Sequence, residues 1–295
     1  MSTITVQGSD VSISNPDKML YPDIGLTKAG YINALVSLAP YLLPHTKGRP
    51  LTALRYPDGV NEPFFYQKRP PKGTPEWVNI TMDSGEEFIN LDSLKTLMWL
   101  GNTAALEFHT PFGEPDGMLH SLVFDLDPSE GQTFEDVTEC ALLVHDTLKQ
   151  LGVDCYVKTS GASGMQVYIP TRRMTFEEGR QINTFFARYF EAKHPDMITT
   201  ERIVKNRGRK LYFDYIQMGR GKSIICVYSP RAVACGSVSM PVTWDELEKG
   251  VKPCDFTLVN APQRLAKTGD LFAPMLREGK ALPVLEEILM KAPAS

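Results

Sequence analysis

The chain has 295 residues, enough to bury a large core as one domain or as two closely packed lobes. Its net charge of −4 excludes a polycation, so any contact with nucleic acid requires a local basic patch. Five cysteines without a Cys-x-x-Cys pair argue against a zinc module or a disulfide framework and for a reducing compartment. No signal pattern and no apolar run of about 18 residues is visible, so we expect a cytoplasmic protein without a membrane partner.

The first predicted helix carries a lysine in its first turn. Thr27 can N-cap a helix that runs to about Leu43, because apolar residues recur there at helical spacing. Lys28 follows the cap, where a cation opposes the helix dipole. This position is favourable if a phosphate binds at the free amides of the helix N-terminus. A solvated lysine is the alternative.

A short strand within residues 51–59 precedes three consecutive aromatic residues, Phe64, Phe65 and Tyr66, in a proline-rich loop with three cations. Consecutive residues of a strand alternate between its two faces, so at least one aromatic ring should be exposed. Exposed rings beside cations can stack on bases while the cations neutralise phosphates. A core phenylalanine with a solvated basic loop is the alternative.

Helices and strands alternate over the rest of the chain. We predict helices at about 93–100, 133–151, 176–192, 244–249 and 284–291, and strands at 104–109, 122–127, 155–159, 165–169, 211–216 and 223–227. Without a strict βαβ repeat, this order favours an α+β fold with a mixed sheet. Residues 201–210 hold five cations against one glutamate and form the strongest local basic cluster.

The apolar strand predicted at residues 122–127 has two aspartates at its C-terminal end. Asp125 and Asp127 lie two residues apart, so their side chains point to the same face, and Pro128 favours an end of the strand there. Neighbouring buried carboxylates repel each other unless a cation, most simply a divalent metal ion, keeps both ionised. The alternatives are a turn rich in turn formers, a metal-dependent glycosyltransferase, and an EF-hand loop, in which Glu130 would replace the required glycine.

Three further features accompany this pair. Residues 159–164 form a glycine-containing loop that can bind phosphates or simply connect two strands. Asp214 interrupts a predicted apolar strand, which is costly unless its charge is paired or coordinated. Arg231 follows one strand later and can supply a cation to a triphosphate.

The order Phe-Asp-Leu-Asp-Pro, Ser-Gly-x-x-Gly, Phe-Asp-Tyr-Ile-Gln and Tyr-Ser-Pro-Arg-Ala resembles the polymerase domain of bacterial and archaeal end-joining DNA ligase D, within the archaeo-eukaryotic primase superfamily. The resemblance runs from about Asn15 to Leu276 and includes Leu-Ala-Lys-x-Gly-Asp at residues 265–270. It implies a primase-type α+β fold with an RRM-like antiparallel catalytic sheet. It also implies one catalytic domain over residues 1–295, with a smaller N-terminal α/β lobe of about 1–110 and a catalytic core of about 111–295.

The resemblance also implies roles for individual residues. The catalytic metal ligands would be Asp125, Asp127 and Asp214, holding two Mn²⁺ or Mg²⁺ ions. The incoming nucleotide would be bound by Arg55, His109, Ser160, Gly161, Ser163, Gly164, Gln217 and Arg231. The 5′-phosphate of a downstream DNA strand would be bound by Asn15, Lys18 and Lys28, and the template would stack on Phe64 and Phe65.

The sequence departs from the family pattern at three positions. Family members often carry lysine at the position of Ser163, histidine at that of Gln166 and a basic residue at that of Leu54. The loss of these cations should weaken triphosphate binding, although Ser163 and Gln166 can still form hydrogen bonds.

These observations predict a template-directed polymerase that adds ribo- or deoxyribonucleotides at DNA ends and gaps during non-homologous end joining. The expected partners are nucleoside triphosphates, gapped or overhanging DNA with a 5′-phosphate, Ku, and a DNA ligase in cis or in trans, near the nucleoid. No Lys-x-Asp-Gly ligase motif is present, so we expect a stand-alone polymerase or one domain of a larger protein. A primase that starts strands de novo and a non-catalytic DNA-end binding module are the alternatives.

Overall fold

The computed structural model describes residues 2–114 and 116–291. The strands are β1 (Ser2–Val6), β2 (Ser9–Ile13), β3 (Met19–Tyr21), β4 (Leu26–Thr27), β5 (Thr52–Arg55), β6 (Phe65–Gln67), β7 (Ile80–Asp83), β8 (Glu86–Ile89), β9 (Ala105–Pro111), β10 (Leu119–Asp127), β11 (Tyr156–Thr159), β12 (Met165–Met174), β13 (Ile198–Thr199), β14 (Leu211–Phe213), β15 (Ser223–Ile225) and β16 (Pro241–Val242). The α-helices are α1 (Lys28–Thr46), α2 (Leu94–Asn102), α3 (Phe134–Gln150), α4 (Phe176–Lys193), α5 (Trp244–Glu248), α6 (Ala261–Thr268) and α7 (Pro283–Lys291).

Helices α1 to α5 each begin after a threonine or serine that caps them. Thr27 accepts a hydrogen bond from the amide of Gly30 at the start of α1, as predicted. Thr133 and Thr175 form full capping boxes with Asp136 and Glu178 at the starts of α3 and α4. Such a cap contributes about 1 kcal/mol and sets the point at which the chain enters the helix. The predicted helices are confirmed, with ends shifted by a few residues.

The chain folds into two compact units. The first combines the residues up to Pro111 with Ser223–Met240 and Pro253–Asp270. Its main sheet has the order β15-β9-β5-β6 and is antiparallel throughout. Helices α1 and α2 pack against each other, and the buried Tyr31 of α1 donates a hydrogen bond to the carbonyl of Ala105 at 2.5 Å.

The second unit combines Phe112–Lys222, Pro241–Lys252 and the residues from Leu271 onward. Its sheet has the order β13-β14-β10-β12-β11-β16, and only the β13–β14 pair among the described strands is parallel. Helices α3 and α4 pack against β10. Phe124 of β10 contacts Phe186 of α4 at 5.2 Å and Phe213 of β14 at 5.1 Å between ring centroids. This aromatic core fixes the central strand that carries the two aspartates.

The predicted division into residues 1–110 and 111–295 assigned each lobe one continuous segment, whereas each unit combines three segments. The first unit includes later segments because β15 pairs with β9 and α6 contacts α1. Residues 1, 115 and 292–295 of the predicted range lie outside the described residues.

Two expectations are corrected. The strand predicted at 211–216 ends at Phe213, so Asp214 follows β14 and does not interrupt it. Cys235 and Cys254 form a disulfide, against the expectation that the cysteines do not pair. These cysteines are 19 residues apart, and backbone hydrogen bonds from Val238 to Phe256 and from Leu258 to Gly236 bring their segments together.

Within the described part of the chain, no helix combines the length and the apolar character that crossing a membrane requires.

Candidate active site

Asp125 and Asp127 lie at the C-terminal end of β10, in the second unit. Asp125 is 7% exposed and pairs in register with Gln166 of β12, whereas Asp127 is half-buried. Gln166 donates a hydrogen bond from its Nε2 to Oδ1 of Asp125 at 2.9 Å. The predicted end of the strand at Asp127 is confirmed, and the two carboxylates belong to the same face of the sheet.

The glycine-containing loop connects β11 to β12 and lies against this strand end. Oγ of Ser160 accepts a hydrogen bond from the amide of Gly164 at 3.1 Å. A Cβ atom on Gly164 would lie 2.8 Å from the carbonyl oxygen of Leu126 and 3.1 Å from Oδ1 of Asp127. The loop can therefore approach the aspartates this closely only because residue 164 has no side chain. Gly161 has a φ of 77°, and Ser163 is exposed at the tip.

Asp214 lies beside Asp125, immediately after β14. Its amide donates to the carbonyl oxygen of Asp125 at 3.0 Å. Its Oδ1 accepts hydrogen bonds from the hydroxyl of Tyr212 and the amide of Ile216, both at 3.2 Å. The same turn includes Gln217, whose amide donates to the carbonyl oxygen of Asp214 at 3.3 Å. The backbone thus brings the third aspartate to the pair, while one of its carboxylate oxygens contacts its own turn.

The electrostatics of this group favour a cation. Burial and the charges of Asp127 and Asp214 raise the pKa of Asp125 to about 8, against the hydrogen bond from Gln166 and the charge of Lys158. No group of three or more His, Cys, Asp or Glu side chains within residues 2–114 and 116–291 is arranged as a metal site. The Asp125–Asp127 pair nevertheless offers hard carboxylate oxygens, which suit Mg²⁺ or Mn²⁺, and a divalent cation would relieve the repulsion between them. The pair fits such an ion, with Asp214 as an adjacent third carboxylate.

In the first unit, His109 and Arg231 share one buried carboxylate, that of Glu107. Oε2 of Glu107 lies 2.9 Å from Nε2 of His109 and accepts a hydrogen bond from Arg231 at 3.1 Å. Its Oε1 accepts from the amide of Ala232 at 3.1 Å. Burial raises the pKa of Glu107, but the hydrogen bond from His109 and the charge of Arg231 outweigh this effect, and the net pKa lies below the ordinary value. The structure therefore groups two of the predicted nucleotide-binding residues.

The three residues predicted to bind a 5′-phosphate, Asn15, Lys18 and Lys28, lie close together in the first unit. The backbone of Lys18 bonds both to the carbonyl of Asn15 at 3.0 Å and to the amide of Lys28 at 2.7 Å, which ties their loop to the start of α1. Lys18 forms an ion pair with Asp58 at 2.6 Å. Lys28 is 5% exposed, so the solvated alternative is wrong. Burial and the charges of Lys18 and Arg55 lower its pKa, so its surroundings disfavour the charged form.

The three consecutive aromatic residues of the first unit are all exposed, where at least one exposed ring was predicted. Phe64, Phe65 and Tyr66 retain 47%, 45% and 63% of their surface. Phe64 stacks on Tyr56 with a centroid distance of 5.0 Å, and the guanidinium of Arg55 lies 5.1 Å from the ring of Phe65. Arg55 also donates to Gln67 at 2.8 Å. Exposed rings that are held by neighbouring side chains in this way offer faces on which bases can stack.

Comparison with known proteins identifies the family. The model of the LigD primase-polymerase domain matches residues 27–272. The chain belongs to this family. The primase-type fold and the resemblance to the polymerase domain of DNA ligase D are thereby confirmed.

Members of the LigD primase-polymerase family resemble the chain over most of its length. The bifunctional non-homologous end joining protein LigD of Bacillus subtilis is 36% identical over 271 residues, which are 91% of this chain and 44% of that protein. The multifunctional protein of the same name from Mycolicibacterium smegmatis is 34% identical over 275 residues, 90% of this chain and 36% of that protein. The polymerase domain of Mycobacterium tuberculosis ligase D, solved in complex with DNA, has a TM-score of 0.83 and 30% identity, and the match covers 90% of this chain and 98% of that one. The chain spans less than half the length of these two LigD relatives.

Sequence reasoning missed two buried residues of this LigD primase-polymerase chain. Glu107 is 4% exposed and Lys158 is 0% exposed, and both reach residues predicted to act in the site, Lys158 through Gln166. The spacing of Glu107 and His109 on one strand face was the available signal for the first. Lys158 on an apolar strand was the signal for the second, since a buried charge requires a partner.

Proposed function

We propose that the chain is a template-directed polymerase that adds ribo- or deoxyribonucleotides at DNA ends and gaps during non-homologous end joining. The observation that carries the proposal is the contact between the Asp125–Asp127 strand end and the Gly164 loop, within a LigD primase-polymerase fold. It supports nucleotidyl transfer because the carboxylates for a metal ion lie next to amides and a hydroxyl that suit phosphate oxygens.

Asp125, Asp127 and Asp214 are proposed to hold two Mn²⁺ or Mg²⁺ ions. Once bound, the ions would activate the 3′-hydroxyl of the primer and neutralise the pyrophosphate leaving group. Contacts within the protein hold these aspartates in position. Asp125 is held by Gln166, and the backbone of Asp214 is held by Asp125. Oδ1 of Asp214 accepts hydrogen bonds from Tyr212 and Ile216, so its carboxylate could act as a third ligand through the other oxygen while keeping these contacts.

The triphosphate is proposed to bind Ser160, Gly161, Ser163 and Gly164, with Gln217 assisting. Arg231 and Arg55 are proposed to add positive charge for the phosphates, and His109 is proposed to assist them. Glu107 orients Arg231 and His109, because a buried carboxylate with three donors holds each of them in place. A preorganised cation stabilises charge on a phosphate without having to reorient during the reaction.

The DNA partners follow from the first unit. Asn15, Lys18 and Lys28 are proposed to bind the 5′-phosphate of the downstream strand, and Phe64 and Phe65 to stack on the template. Ku and a DNA ligase, in cis or in trans, are the proposed protein partners. We place the protein in the cytoplasm near the nucleoid, although the Cys235–Cys254 disulfide is atypical of a reducing compartment.

The proposal is tested by the variant Asp125→Ala. We expect it to abolish primer extension in Mn²⁺, since one of two strand carboxylates is lost, and to leave DNA binding intact. The matched control is Asp146→Ala, which removes an exposed carboxylate from α3 of the same unit. Extension by Asp125→Ala at the rate of the control would contradict the proposal.

A further inference from the structure

Three polar side chains form a row across three adjacent strands of the second unit. Lys158 of β11 pairs in register with Gln166 of β12, and Gln166 pairs in register with Asp125 of β10. Nζ of Lys158 donates to Oε1 of Gln166 at 2.7 Å, and Nε2 of Gln166 donates to Oδ1 of Asp125 at 2.9 Å. All three are buried, with 0%, 3% and 7% of their surface exposed.

The chemistry of Lys158 fixes the direction of this row. A lysine ammonium carries three donors and no acceptor, so it can bond only to the carbonyl end of the Gln166 amide. The NH₂ end must then face Asp125, where it meets a carboxylate oxygen. If the amide were reversed, two donors would face each other at one end and two acceptors at the other. In a buried site, each such mismatch costs about 1–3 kcal/mol.

We propose that Lys158 and Gln166 are positioning residues that hold the Asp125 carboxylate in the orientation that binds a divalent metal ion. This inference rests on the proposed function, since it assigns a metal ion to Asp125. Both ends of the Gln166 amide are bonded to protein side chains, so residue 166 acts directly on the Asp125 carboxylate. Outer residues that orient metal ligands typically contribute about 10- to 100-fold to metal affinity.

The proposal sets a requirement on residue 166. The side chain must present an acceptor to Lys158 and a donor to Asp125. Glutamine meets this requirement, and so does neutral histidine, whose two ring nitrogens are one donor and one acceptor. Methionine has neither group. In Gln166→Met the ammonium also loses the Oε1 acceptor, which favours its turning towards Asp125 in competition with a metal ion.

The test is direct measurement of Mn²⁺ binding to the full chain without nucleotide, by the electron paramagnetic resonance signal of free Mn²⁺. We expect Gln166→Met to raise the dissociation constant about tenfold or more, and Gln166→His to restore most of the lost affinity. In primer extension, Gln166→Met should lower kcat and leave KM for the nucleotide unchanged. Gln150→Met, an exposed change at the end of α3, is the matched control. Melting curves show that each variant is folded.

A measurement on the wild-type chain does not depend on the folding of a variant. The side-chain NH₂ resonance of Gln166, assigned by its absence in Gln166→His, should shift when Mg²⁺ is added. The proposal is overturned if that resonance does not move while Mg²⁺ binds, or if folded Gln166→Met binds Mn²⁺ as tightly as the control. If the wild-type chain binds no Mn²⁺, the proposed function fails together with the inference. If it binds and only the Gln166 variants show no effect, the positioning role alone fails.

Discussion

Glu107 shows how one buried carboxylate can hold two side chains that are proposed to act in the site. It contacts His109, Arg231 and the backbone of Ala232, and its side chain is almost fully buried. Its negative charge limits the net positive charge that the pair presents. In return, it restricts both side chains to one arrangement, which favours binding of a phosphate in a defined position.

The variant Glu107→Gln tests this role through pH. The pKa of Glu107 is lowered on folding, so its ionised form stabilises the fold above the ordinary value of 4.5, and this contribution is lost as the pH falls through the lower folded-state pKa. We expect Glu107→Gln to lower the free energy of unfolding by about 1–3 kcal/mol near neutral pH, with the difference from wild type narrowing below pH 4.5. Urea unfolding measured across this range provides the check. Glu62→Gln, an exposed change in the same unit, is the control, and a difference that does not vary with pH would contradict the assignment.

The connection between β11 and β12 is the element on which the site depends most. It brings Ser160 and Gly164 to the end of β10, and the close approach to Leu126 and Asp127 leaves no room for a Cβ atom at residue 164. A loop with this geometry can present its amides to phosphates next to the aspartates.

Gly164→Ala is therefore expected to lower the stability of the chain and to weaken nucleotide binding. The added Cβ would lie 2.8 Å from a backbone oxygen of the neighbouring strand, so the loop or the strand must move. Overpacking of this kind costs about 1–3 kcal/mol of stability, and the displaced loop should raise KM for the nucleotide. Gly219→Ala is the control, because its Cβ would approach nothing closer than 3.6 Å. Equal melting temperatures and equal KM values for the two variants would show that the approach is not required.

The sequence predicted the long helices and the aspartate-bearing strand because amphipathic spacing and threonine caps are local signals. The hairpin of β7 and β8 was missed because its strands are only four residues long and mostly exposed, although Ser84 and Gly85 mark its turn with φ values of 51° and 82°. Side-chain partners set by strand register or loop packing were also not predicted. The bond from Lys158 to Gln166 and the disulfide of Cys235 with Cys254 depend on strand register and loop packing.

The two units carry different parts of the proposed chemistry. The second holds the three aspartates and the glycine loop, and the first holds Lys28, the exposed aromatic residues and the Glu107 group. Lys28 is the residue of this fold proposed to distinguish DNA with a 5′-phosphate from DNA without one. It is a buried cation at the start of α1, with a pKa lowered by burial and by the charges of Lys18 and Arg55. A phosphate bound there would relieve that repulsion.

Lys28→Met is expected to reduce the advantage of a 5′-phosphorylated downstream strand without reducing extension on an unphosphorylated one. The substitution removes the charge and keeps most of the length of the side chain. Binding of gapped DNA and primer extension on it, each with and without the 5′-phosphate and at one salt concentration, provide the comparison. Lys47→Met, which removes an exposed cation at the other end of α1, is the control. A loss of affinity that is equal for both DNAs would assign Lys28 a general electrostatic role.

The most direct test is primer extension by the wild-type chain on a gapped duplex, with Mn²⁺ and ribonucleotides, comparing downstream strands with and without a 5′-phosphate. The variant Asp125→Ala serves as the negative control. We expect the phosphate to stimulate addition of one or a few nucleotides by the wild-type chain, and we expect the variant to add none. Extension indifferent to the phosphate would contradict the end-joining assignment and favour a general primase, and no extension at all would favour a DNA-end binding module.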